Sequence, residues 1–114
     1  LDLRLERKAY EIALQYNKTG PFHRDYNSAI TAFNNFLDSY PGSVFKEDAL
    51  FYKFDSAYKL AINSVERKKD ERTEKALKYY RSLIRNFPQT KYINELSLMH
   101  EELQNIKKNL ISKS

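Results

Sequence analysis

Residues 39–48 read SYPGSVFKED and residues 86–95 read NFPQTKYINE. Each carries an aromatic residue, a proline, two small or polar residues, and a second aromatic two positions further on. Pro41 and Pro88 are 47 residues apart, and so are Phe45 and Tyr92. A fixed period of this size is the mark of stacked structural repeats, so it governs how the rest of the chain is read.

Ahead of Pro41 the apolar residues are Ala29, Ile30, Phe33, Phe36, Leu37 and Tyr40. Ahead of Pro88 they are Ala76, Leu77, Tyr80, Leu83, Ile84 and Phe87. The two sets share one spacing, which follows a single face of an α-helix. Each helix should stop at its proline, which has no backbone N–H and disfavours a helical residue before it. Ser43 and Thr90 then stand where a hydroxyl can cap the following helix. Upstream, AYEIA at 9–13 and AYKLA at 57–61 match at an offset of 48. The pattern predicts helices near 2–18, 25–40, 44–67, 71–87 and 91–111, with the change of offset absorbed in a loop. The middle helix is apolar almost all round, as a helix sandwiched between neighbours should be. The last carries a narrow stripe of Leu96, Met99, Leu103, Ile106 and Leu110, which suits the wet end of a stack. The fold class is therefore all-α: an α-solenoid of about five antiparallel helices.

Composition agrees. The 114 residues are 41% hydrophobic, enough for one core and hardly for two domains. Two Gly and three Pro leave few helix breakers. The absence of Cys excludes a disulfide framework and thiolate metal sites. No apolar run approaches the roughly 18 residues of a membrane span, and no signal peptide is visible. A start at Leu1 reads as a fragment or a processed product.

The segment DYNSAITAFNNFLDSYPGS (25–43) resembles the second helix of a tetratricopeptide repeat (TPR), through Tyr26, Ala29, Phe33 and Pro41. Residues 73–90 resemble it less fully, with Ala76, Tyr80 and Pro88, but with Thr73 in place of the aromatic. The resemblance implies a right-handed superhelix with repeats near 2–41 and 44–88 and a terminal helix at 91–111, all within one domain, 1–114. It departs from the usual repeat in its longer period and in an insertion near Gly20-Pro21-Phe22-His23. A second resemblance covers nearly the whole chain. RKAYEIALQYNKTGPFHRDYNSAITAFNNFLDSYPGS (7–43), continuing into FKEDALFYKFDSAYKLAINSVERKKDER (45–72), looks like the C-terminal part of BamD-type outer membrane assembly lipoproteins, in a Bacteroides-like version. LAINSVERKKDER (60–72) is its most particular stretch.

That resemblance implies a non-catalytic scaffold of the β-barrel assembly machinery, which assembles and inserts barrel proteins into the outer membrane. It would bind the periplasmic domain of a BamA-type subunit, with unfolded outer-membrane protein segments as further ligands. It would be held at the periplasmic face of the outer membrane by an N-terminal lipid that this sequence does not include. The repeat resemblance places the first helix of each repeat along a concave groove. That puts Arg7, Tyr10, Leu14 and Asn17 there from the first repeat, and Asp55, Tyr58, Ile62 and Glu66 from the second. Tyr10 and Tyr58 are equivalent under the 48-residue shift. Both are suited to an interface by size and stiffness, or to simple packing between helices.

Charge is uneven: residues 1–24 carry a net +2, residues 25–65 a net −2 and residues 66–114 a net +5. The run Glu66-Arg67-Lys68-Lys69-Asp70-Glu71-Arg72 is expected at a helix junction, where mixed charges can orient a partner. Lys75, Lys78, Arg81 and Arg85 share the side of their helix opposite the apolar stripe. Such a face suits an acidic partner, anionic lipid or nucleic acid, and is most often simply solvated. His23 and His100 lack the neighbours of a zinc site. No phosphate loop, nucleophile elbow, zinc-hydrolase helix or acid–base carboxylate pair is present, and no cofactor or metal is implied. The sequence reads as a protein-binding chain and not an enzyme. A generic repeat adaptor of another periplasmic or cytosolic complex is the alternative. A helical-repeat nucleic-acid binder fits less well, because the middle segment is negative and regularly placed polar base-reading side chains are lacking, so no nucleic-acid partner is expected.

Overall fold

In a computed structural model the chain is described over residues 3–23 and 25–113, with 21–23 and 113 as backbone alone. The start expected at residue 2 and the side chain of His23 lie outside the described residues. The elements are α1 (Leu3–His23), α2 (Tyr26–Ser39), α3 (Lys46–Ile62), α4 (Glu66–Asn86) and α5 (Ile93–Lys113). Among the described residues there is no strand. The fold is an all-α, TPR-like stack.

The two proline junctions are built alike. Tyr40 N–H donates to Phe36 O and Ser43 N–H to Tyr40 O; shifted by 47, Phe87 N–H donates to Leu83 O and Thr90 N–H to Phe87 O. Lys46 N–H to Ser43 O and Ile93 N–H to Thr90 O then begin the next helices. Ser43 Oγ accepts the N–H of Phe45 at 2.9 Å, and Thr90 Oγ1 that of Tyr92 at 3.3 Å. Both hydroxyls therefore close the turn before the helix instead of capping its first turn, because each helix starts two residues later than the sequence suggested.

Two boundaries differ from expectation. The third helix was expected to reach 67 and the fourth to begin at 71, yet α3 ends at Ile62 and α4 starts at Glu66. Asn63 Nδ2 donates to Lys59 O at 2.9 Å and Ser64 Oγ to Leu60 O, so side chains take the carbonyls that α3 leaves open at its end. Val65 is extended, and the Glu, Arg and Lys that follow are strong helix formers with Glu66 at the positive helix end. The charged run 66–72 is thus helical and not a loop. At the other boundary, α1 runs through Gly20 and Pro21. A Cβ on Gly20 would clash with the ring of Tyr26. Glycine lets the end of α1 pack closely against the start of α2.

Each helix packs on the next in sequence. In addition α1 packs on α3 and α3 on α5, whereas α2 and α4 make no such contact among the described residues. The row α1–α3–α5 is therefore the mutually packed inner side of the stack, and α2 and α4 stand apart on the outer side. Ala13, Ala29, Phe33, Phe36 and Ala49 form one buried cluster. Ile30, Leu50, Phe54, Ala57, Leu77, Leu83, Leu96 and Leu103 belong to a second, and Leu37 and Tyr52 pack against both. The core thus runs continuously through α3, whose buried residues include Ala49, Leu50, Phe51, Phe54 and Ala57.

Candidate protein-binding surface

Among the residues expected to line the groove, the inner helices bring several together as a seam. Asn17 on α1 is 5% exposed, and its Nδ2 donates to Asp55 Oδ2 at 2.9 Å and to Ser56 Oγ at 2.8 Å on α3. Ser56 Oγ donates onward to Tyr52 O at 2.8 Å, and Lys59 Nζ lies 2.9 Å from Asp55 Oδ2. Asp55, 8% exposed, is thereby paired with both an amide and a cation, as a buried carboxylate must be. Asn17 and Asp55 accordingly face each other across the α1–α3 contact instead of standing open in the groove. Their depth follows from the close approach of the inner helices, which spacing along the sequence does not reveal.

Tyr58, half-buried, donates its hydroxyl to Glu102 and so ties α3 to α5. Burial and then Glu102 raise its phenol well above the ordinary value. Tyr10, also half-buried, stacks on Phe45 with centroids 4.8 Å apart and planes 7° apart, and tilts against Phe33 and Phe36. Burial, followed by the charge of Asp48, pushes its phenol up to about 12. Both tyrosines thus hold neighbouring elements together while keeping part of their surface open. Arg7 is exposed, and Leu14 and Ile62 are half-buried.

The charged run lies on the first two turns of α4. Glu66, Arg67 and Lys68 are exposed, Lys69 and Arg72 half-buried. Arg72 Nη1 donates to Ser64 Oγ at 2.6 Å. It borders a cleft of about 570 Å³, also lined by Gly20, Tyr26, Asn27, Leu60 and Asn63. Lys69 and Glu66 border a smaller hollow against Ile106 and Leu110 of α5. Cations beside recesses of mixed polar and apolar lining can meet a complementary surface and fix its orientation.

At the opposite end, contacts that the sequence did not announce join the second junction to α3. Glu47 Oε2 accepts from Thr90 Oγ1 and from Lys91 N–H at 3.0 Å. Asp48 Oδ1 accepts from the Tyr92 hydroxyl and lies 3.0 Å from Lys91 Nζ. The Tyr92 ring stacks on Phe51 at 3.9 Å. The legible part was the repeated aromatic; its partner on α3 depends on the three-dimensional register.

Among the described residues no group of three His, Cys, Asp or Glu is placed to hold a metal ion, and no helix is long and apolar enough to cross a membrane. The stacked helices, with an inner row held by side-chain bridges, define an all-α, TPR-like helical stack. A family model described as outer membrane lipoprotein (YfiO) matches residues 5–113. The chain belongs to this BamD-like outer membrane lipoprotein family. No curated protein and no solved structure matches it.

Proposed function

We propose that the protein is a non-catalytic binding scaffold of the β-barrel assembly machinery, acting in the assembly and insertion of outer-membrane β-barrel proteins. The observation that carries this reading is the family match, which spans residues 5–113. The proposed partner is the periplasmic domain of a BamA-type subunit, with unfolded barrel segments as further ligands. The proposed site is the periplasmic face of the outer membrane, with a lipid anchor on the full-length protein. Residues 1–114 act as one repeat domain in this reading. A rigid stack suits the role, because little ordering entropy is lost when a partner docks on it.

The contacts proposed are Glu66, Arg67, Lys68, Lys69 and Arg72 on α4, with Arg7 and the open edges of Tyr10 and Tyr58 on the inner row. Asn17 and Asp55 set the spacing of that row from within. The test is a pull-down from detergent-solubilised envelope with this chain as bait and mass-spectrometric readout. Recovery of a BamA-type barrel protein supports the reading. Recovery of other envelope proteins, with no barrel-assembly subunit among them, sinks it.

A further inference from the structure

The outer side of the stack carries a group of cations that have no carboxylate within ion-pair distance among the described residues. On α3, Lys53 sits two residues before Asp55, about 200° around the helix, and so points away from the inner row. It enters the gap between α2 and α4, where its Nζ lies 4.1 Å from the centroid of the Tyr79 ring on α4. Lys75 and Lys78 are exposed next to Tyr79 on α4, and Arg81 and Arg85 continue the exposed basic row. Elsewhere Lys59, Lys91 and Lys107 each reach a carboxylate, on Asp55, Asp48 and Glu74. Lys53, Lys75, Lys78, Arg81 and Arg85 reach none within ion-pair distance among the described residues. Partial burial lowers the affinity of Lys53 for its proton; Lys78 and Lys75 add to this, and Asp38 across the gap opposes it. A half-buried ammonium held over a ring, with two further cations beside it, is poorly compensated and gains from an incoming anion.

We infer that Lys53, Lys75 and Lys78 around Tyr79, extended by Arg81 and Arg85, form a docking surface for a glutamate- or aspartate-rich polypeptide segment. From residue 75 to residue 85 a helix advances about 15 Å, the length of roughly five residues of extended chain. The surface suits a narrow segment better than a membrane. The facing helix α2 offers Asn35 and Asp38 and no cation, and no large apolar residue from 66 to 92 stands exposed to enter a lipid layer. Tyr79 already carries Lys53 on its ring, so that face is closed to a stacking base. This surface lies on the side opposite the inner row, and its test needs no component of the barrel assembly machinery.

The test is fluorescence anisotropy of a fluorescein-labelled oligoglutamate peptide titrated with the full chain at low salt. Lys75→Gln with Lys78→Gln is expected to weaken binding about fivefold or more, and Lys53→Met to weaken it further. Lys8→Gln with Lys18→Gln removes the same formal charge from exposed positions on α1 and is expected to leave binding within about twofold. Circular dichroism of each variant checks that the fold is kept. Equal weakening by the two pairs overturns the inference, because net charge alone would then explain binding. Tighter binding of phosphatidylglycerol vesicles or oligonucleotide than of peptide, lost in the Lys75/Lys78 pair, overturns it as well.

Discussion

The side-chain amide of Asn17 stands 2.9 Å from the carboxylate of Asp55, so a single buried residue on α1 reads the position of α3. A buried polar contact penalises any register that leaves its members unpaired. This bridge and that from Tyr58 to Glu102 fix the register of α1 on α3 and of α3 on α5.

Replacing Asn17 with Ala should therefore cost about 1–3 kcal/mol, since Asp55 stays buried with Lys59 as its remaining partner. Urea unfolding followed by circular dichroism would measure it. A change under a few tenths of a kcal/mol would mean that the bridge is not formed in solution.

Thr73 offers the reverse case. It is fully buried on α4 and its hydroxyl finds no hydrogen-bond partner among the described residues. Thr73→Val keeps the shape and removes the orphaned group, so it should stabilise the protein by up to about 1–2 kcal/mol. Thermal unfolding is the readout, and a lowered midpoint would reveal a partner for that hydroxyl.

Gly20→Ala should destabilise by about 1–3 kcal/mol, because the new methyl meets the Tyr26 ring at the α1–α2 contact. Tyr26→Leu should recover part of the loss when combined with it. A fully additive double variant would argue against direct contact.

Alkaline pH probes the packed tyrosines. The Tyr10 phenol is raised from 10.0 to about 12, chiefly by burial, and Tyr58 and Tyr92 are raised as well. With folded values above unfolded ones, the unfolded chain loses its protons first. Stability is then intact below about pH 10 and falls as pH rises towards 12. Tyr10→Phe should flatten part of that fall in urea midpoints taken across the range; an unchanged slope would contradict the burial of this hydroxyl.

The repeat was legible because proline and aromatic residues act locally. Pro41 and Pro88 stop their helices wherever the rest of the chain lies, and the junction hydrogen bonds recur at the same offset. The α3–α4 break was not legible, since it has no glycine or proline and depends on Asn63 and Ser64 folding back onto carbonyls of their own helix. The continuation of α1 through Gly20 was hidden because the reason for that glycine, the Tyr26 ring, becomes apparent only when α2 is docked. The site divides in the same way. The basic row on α4 follows from helical spacing, whereas the addition of Lys53 needs the register of α3 against α4.

The most direct measurement is titration calorimetry of the purified chain with the periplasmic domain of the BamA-type subunit from the same organism. The account predicts a defined complex that weakens about tenfold or more when Arg67, Lys69 and Arg72 are reversed to Glu together. Absence of binding, or an affinity unchanged by the reversal, would contradict the proposed role of this surface.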